Sequence, residues 1–208
     1  MALRLLLLRH GETAWNRERR YQGLTDTPLS PEGLVQAEAA ARELKEHVFA
    51  AVYASPLRRA RDTAAAIAAP HGLEVETDPA FRELAFGEWE GLTLDEARAR
   101  DTALYEGWAT TPHIFSPPEG ESLVQVRERV LAGLERLRAG HQDETVCLVA
   151  HGIPVRILIL EALGLGLDRL WSLHSAPTGI SELEFRDDWT ALHRMNTLVH
   201  LDTVPAGR

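Results

Sequence analysis

Three scarcities bound what this chain can be. Its 208 residues hold one cysteine, Cys147, so no disulfide framework within the chain can staple the fold. That cysteine sits in the apolar run Thr145-Val146-Cys147-Leu148-Val149 and reads as a buried strand thiol, which fits a reducing compartment. Long apolar runs are absent as well. No stretch approaches the ~20 residues a membrane helix needs. The N-terminal leucines are too few for a signal-peptide core and precede no small-residue cleavage site. The expected location is cytoplasmic, with no membrane partner. Basic charge is the third shortage. A formal net charge of −9 excludes a general nucleic-acid binder, because no basic excess exists to neutralise phosphates. An anionic substrate would need a local basic pocket on an acidic protein. Lys45 is the one lysine, and the other basic residues are arginines.

What remains is ordinary globular material, 45% hydrophobic and 25% charged, of a length suited to a single domain over 1–208. Strand-like runs occur at Leu3–Leu8, Ala51–Ala54, Leu73–Glu76, Thr145–Ala150 and Ile180–Phe185, with a sixth at Trp189–Met195. Helical patterns lie between most of them. Pro31 to Val48 carries Leu34, Ala37, Ala41, Leu44 and Val48 at helical spacing. Ser55-Pro56 reads as an N-cap followed by proline, predicting a helix over Pro56–Ala69. Thr93 to Glu96 and Ser122 to Gln125 have capping-box spacing. A helix follows His151-Gly152 and stops at Gly164. This alternation predicts an α/β protein whose mainly parallel sheet is covered on both faces. Residues 91–121 break the rhythm with two short helical pieces and a proline-rich stretch, and read as a lid insertion over the site.

Four segments lie where a strand hands over to its successor, which in open α/β sheets is where ligands bind. Arg9-His10 closes the first strand, and Gly11 lets the backbone approach closely. Ser55-Pro56-Leu57-Arg58-Arg59-Ala60 follows the second. Arg82 to Gly91 is a carboxylate-bearing loop, and His151-Gly152 repeats the first design after the Val146–Ala150 strand. If the strands are parallel neighbours, two histidines, at least two arginines and a glutamate converge on one rim.

These segments, with Ala14-Trp15-Asn16, Tyr21-Gln22-Gly23, Asp26-Thr27-Pro28-Leu29 and Glu83 with Gly87, resemble the histidine phosphatase superfamily, the phosphoglycerate-mutase-like group. The match spans most of the chain in family order. Phe86-Gly87-Glu88-Trp89-Glu90-Gly91 and the modest interval from Glu83 to His151 are similar to the phosphatase branch. Trp108, Pro112-His113 and Leu170-Trp171-Ser172 look like the bacterial broad-specificity phosphatases. The resemblance implies a three-layer α/β/α sandwich with a sheet of about six strands and a small helical lid. It implies a phosphomonoesterase in which His10 becomes a phosphohistidine, Glu83 is the proton donor and His151 stabilises the transferring group. Arg9 and Arg59 would bind the phosphoryl oxygens, with Asn16, Gln22 and Gly23 as further substrate contacts. No cofactor and no metal is implied, since arginines and histidines supply the positive charge. The partner is a small-molecule phosphate ester, and a homodimer is the default assembly.

Blander readings compete at each position. His10 and His151 could be satisfied strand-end histidines, and Ser55 reads as a helix cap rather than a catalytic hydroxyl. Arg58 and Arg61 read as solvated or ion-paired, and Glu88 and Glu90 compete with Glu83 for the acid/base role. One arginine of the 17–20 run could reach the pocket mouth. Trp15 and Trp89 read as packing residues, and His47, His71, His141 and His193 as surface residues. Trp108, His113 and Phe115 are divided between lid core and substrate wall. The rival functions are mutase-type phosphoryl transfer, an α-ribazole or sugar-bisphosphate phosphatase, and a non-catalytic phospho-ligand module. Pro117-Pro118-Glu119-Gly120 and the aromatics before it suggest an apolar wall that tolerates hydrophobic phosphates.

Overall fold

The computed structural model describes residues 2–202, so Met1 and 203–208 of the expected 1–208 unit lie outside the described residues. The chain runs β1 (Ala2–Arg9), α1 (Ala14–Arg17), α2 (Pro31–Leu44), β2 (Ala51–Ala54), α3 (Arg58–Ala68), β3 (Val75–Thr77), α4 (Leu94–Arg100), α5 (Thr102–Thr110), α6 (Leu123–Gly140), β4 (Glu144–Ala150), α7 (Gly152–Ala162), β5 (Ile180–Arg186) and β6 (Thr190–Thr197). Strand order is β3-β2-β4-β1-β5-β6. The pairs β2–β3, β2–β4 and β1–β4 are parallel, whereas β1–β5 and β5–β6 are antiparallel. The chain reverses from β5 into β6 through Asp187-Asp188, where the Arg186 N–H donates to the Trp189 carbonyl at 2.9 Å.

Side-chain alternation along the strands builds two cores. Leu3, Leu5 and Leu7 of β1, with Val146, Leu148 and Ala150 of β4, pack among Val126, Val130, Leu134 and Leu137 of α6 and the apolar residues of α7. Leu6 and Leu8, with Cys147 and Val149, face Ala40, Ala41 and Leu44 of α2 and Ala60, Ala64 and Ile67 of α3. The sheet is therefore the middle of three layers. Helix α7 is buried almost all round, which is why it reads as apolar without a clear stripe.

Local signals explain most boundaries. Thr93 and Ser122 each complete a capping box, with Glu96 and Gln125 respectively. Two expectations are corrected. The Pro31 helix ends at Leu44, and Val48 is exposed beyond it. The helix after β2 starts at Arg58, and its cap position is Leu57, which has no polar side chain to cap it. Among the described residues, no helix is long and apolar enough to cross a membrane.

Candidate active site

Because β2, β4 and β1 are parallel neighbours, their carboxyl ends share one rim, and the residue after each strand reaches it. His10 follows β1, Ser55 follows β2 and His151 follows β4. Backbone bonds lock the three corners together: the His10 N–H donates to the Ala150 carbonyl and the Ser55 N–H to the Val149 carbonyl, both at 3.0 Å. The two imidazoles lie side by side with centroids 5.1 Å apart. Gly11 is needed for close approach, since a β-carbon there would sit 2.5 Å from the Gly33 carbonyl oxygen at the start of α2.

The His10 Nδ1 lies 2.7 Å from the Gly11 carbonyl oxygen, to which it donates. That bond fixes the neutral tautomer and leaves a lone pair on Nε2, which receives the Arg59 Nε–H at 3.3 Å. Burial and then the adjacent Arg59 and Arg9 cations hold the His10 pKa well below the usual imidazole value. Burial lowers His151 likewise, with Arg59 next in effect. His151 Nε2 meets the Ser55 Oγ at 2.7 Å, whereas its buried Nδ1 has no partner among the described residues.

The arginines are anchored by main-chain carbonyls. Arg9 donates to Ser175 O at 2.8 Å, and Arg59 to Gly23 O and Thr25 O, both at 2.8 Å. Burial pushes the Arg59 pKa down to about 10. Its loop is held in turn by Glu90, whose carboxylate accepts from the Leu24, Thr25 and Phe86 N–H groups and the Thr25 hydroxyl. Gly23, at φ 52°, supplies the left-handed turn.

The Glu83 carboxylate sits at the start of α7. Oε1 accepts from Leu84 N and Ile153 N, and Oε2 accepts from Gly152 N at 3.0 Å. Its backbone is held by Arg129, which donates to the Ala80, Arg82 and Glu83 carbonyls while paired with Glu121. The Asn16 and Gln22 side-chain oxygens accept from the Thr13 N–H and the Thr27 hydroxyl respectively.

A cavity of about 330 Å³ joins these groups. Of the expected residues, Arg9, His10, Asn16, Gln22, Gly23, Arg59 and Glu83 line it, and His151 lies behind, against His10. Arg20 reaches the mouth, as one arginine of its run was expected to, with Tyr21, Phe86, Leu94, Ile153, Arg156 and Trp171. Tyr21, Phe86 and Trp171 lie in segments that carried the family resemblance, whereas Leu94, Ile153 and Arg156 were not singled out for the site by the sequence. Arg58 faces outward and pairs with Asp62. Glu88 is exposed, and Glu90 serves the Arg59 loop.

Three further expectations change. Ser55 is a partner of His151 rather than a cap. Trp108 is core, packed against Phe86, Trp89 and Trp171, while His113 and Phe115 are exposed and away from the cavity. His47, His71 and His141 are half-buried, so only His193 is at the surface as expected. Among the described residues, no cluster of three or more His, Cys, Asp or Glu side chains is arranged to hold a metal.

Comparison with known proteins agrees with this geometry. A model of the histidine phosphatase superfamily (branch 1) matches residues 5–198. Phosphoserine phosphatase 1 of Hydrogenobacter thermophilus is 34% identical over 199 residues, covering 96% of this chain and 94% of that protein. YhfR of Bacillus stearothermophilus superposes with a TM-score of 0.91 at 32% identity, covering 96% and 99% of the two chains. Mycobacterial glucosyl-3-phosphoglycerate phosphatase, solved with VO3, gives a TM-score of 0.87 at 32% identity, covering 94% and 99%. With its sheet, its paired rim histidines and these relatives, the chain belongs to the histidine phosphatase superfamily, and it is a phosphoric monoester hydrolase.

Proposed function

We propose that the rim cavity hydrolyses small-molecule phosphate monoesters through a phosphohistidine on His10. The observation that carries this reading is the state of the His10 ring: Nδ1 is tied to Gly11 O, and Nε2 presents its lone pair between buried cations. In the first step the Nε2 lone pair attacks phosphorus and the ester P–O bond breaks. The leaving oxygen takes a proton from Glu83 Oε2, the carboxyl oxygen with a single N–H contact. In the second, water attacks phosphorus and gives its proton to the Glu83 carboxylate, and the P–N electron pair returns to Nε2. Ester and water become alcohol and phosphate.

Arg9 and Arg59, with His151, face the phosphoryl oxygens in this reading. Such preorganised donors contribute roughly 3–4 kcal/mol each when aimed at developing charge. Asn16 and Gln22 supply NH2 donors beyond them, and Gly23 acts through the carbonyl that holds Arg59. Tyr21, Phe86, Leu94, Ile153 and Trp171 give the leaving-group side an apolar wall, which suits esters of apolar or aromatic alcohols. Residues 91–121 serve as the lid, supported by Leu94 in that wall and by the Trp171 Nε1–H donating to Trp108 O at 3.2 Å. The buried, unpaired Cys147 supports a cytoplasmic location.

The test is phosphate release from p-nitrophenyl phosphate in EDTA, wild type beside His10→Ala. Turnover that survives EDTA and disappears in the variant is expected. Undiminished turnover in His10→Ala would refute the assignment. Failure to release phosphate, with exchange between phosphoglycerate isomers instead, would make the chain a mutase. A substrate panel favouring only small, highly charged sugar phosphates would remove the apolar-wall reading.

A further inference from the structure

We propose that Ser55 is a positioning residue that fixes His151 as its Nδ1–H tautomer, so that a neutral imidazole donates to the phosphoryl group. The proposal rests on the reading of this cavity as a phosphoryl-transfer site.

Donors and acceptors at this corner are few and shielded from solvent. Ser55 and His151 are both wholly buried. The Ser55 Oγ accepts the Leu57 N–H at 3.3 Å and lies 2.7 Å from His151 Nε2. A hydroxyl has one proton, and among the described residues its acceptor is that Nε2. When the hydroxyl donates, Nε2 is the unprotonated nitrogen and the ring proton sits on Nδ1. Among the described residues the buried Nδ1–H of His151 is then left without a protein partner, on a ring that packs against that of His10. A phosphoryl oxygen on the nucleophile is its missing acceptor.

The reverse arrangement fails twice. With the proton on Nε2, the serine hydroxyl loses its acceptor inside the protein, and a bare Nδ1 lone pair would meet an anionic oxygen. The doubly protonated ring is opposed by burial and by Arg59 and Arg9. The serine reaches this position because the Ser55 N–H is held by Val149 O at the carboxyl end of β2, three residues before α3 begins. Its apparent cap position is therefore a consequence of service to a different strand.

The test is 15N NMR of histidine-labelled protein, with His151 assigned by its loss in His151→Asn. A pyridine-type Nε2 and a pyrrole-type Nδ1 are expected in the wild type at neutral pH. In Ser55→Ala this signature should be lost, with kcat on p-nitrophenyl phosphate falling ~10–100-fold, less than removal of a direct oxyanion donor, and KM little changed. A wild-type ring protonated at Nε2, or at both nitrogens, overturns the proposal even if the variant does not fold. A folded Ser55→Ala with unchanged tautomer and kcat also overturns it. Neither result touches the dependence of turnover on His10, so the two assignments fail separately.

Discussion

The molecule contains two strand–His–Gly corners, and they are built in opposite senses. At the β1 corner, Nδ1 is anchored by the next residue's carbonyl and Nε2 is free of protein acceptors, facing Arg59. At the β4 corner, Nε2 is anchored by Ser55 of another strand and Nδ1 is free. The chain beyond differs too. After Gly11 it makes a tight approach to Gly33 and a one-turn helix. After Gly152 it enters the buried α7, whose first N–H groups bind Glu83. In the arrangement proposed here, one sequence signature yields a ring that offers a lone pair and a ring that offers a proton. The distinction lies in remote partners rather than in the motif.

The contrast can be broken from either side. At the β4 corner, Glu83→Gln should have the largest effect on an alkyl phosphate, lowering kcat by ~10²–10⁴-fold. The loss should be smaller on p-nitrophenyl phosphate, whose leaving oxygen needs little protonation, and parallel kinetics on the two esters measure this. At the β1 corner, Arg59→Lys removes the planar fork that spans Gly23 O, Thr25 O and His10 Nε2. A fall in kcat/KM of ~10²–10³ is expected in steady-state assays. Glu90→Gln loosens the loop carrying those two carbonyls. It should cost about tenfold in kcat/KM and roughly 0.5–1.5 kcal/mol of stability in urea melts, since these hydrogen bonds are partly exposed and the amide keeps one acceptor oxygen.

The smallest effect is shared by both corners. His10 and His151 are held below the usual imidazole value, so below pH ~6.5 the unfolded chain binds protons that the folded chain refuses. Stability should then fall as pH drops from about 6.5 towards the folded pKa values. The slope is bounded by roughly 1.4 kcal/mol per pH unit for each ring. Urea melts from pH 7 to 5 should give a shallower slope in His151→Asn than in wild type.

Much of this was legible because the signals are local. The short apolar run Leu3–Leu8 marked β1 as a buried strand, and the capping boxes at Thr93 and Ser122 marked helix starts correctly. Arg-His-Gly and His-Gly after strands placed the two rings on one rim once β1, β2 and β4 proved to be parallel neighbours. What escaped depends on side chains meeting across the chain. Ser55-Pro56 carries a strong helix-cap signal, yet the Ser55 hydroxyl is claimed by a histidine 96 residues away. Glu90 looked like a rival acid, but its carboxylate accepts from the Phe86 N–H and from the Leu24 and Thr25 N–H groups of the loop whose carbonyls bind Arg59. Arg129 and Glu121 carried no motif, although they fix the backbone of Glu83. The antiparallel β5 and β6 were legible as strands but not in direction, since direction is set by connections of variable length.

In the proposed mechanism the buried Nε2 of His10 carries the phosphoryl group. The most direct test is alkaline quench of the enzyme during turnover, followed by peptide mapping of the phosphoryl label by mass spectrometry. An acid-labile, base-stable phosphoryl group is expected on the peptide containing His10, and is absent in His10→Ala. Phosphate release at a normal rate with no label on that peptide, or with label on another residue, would contradict it.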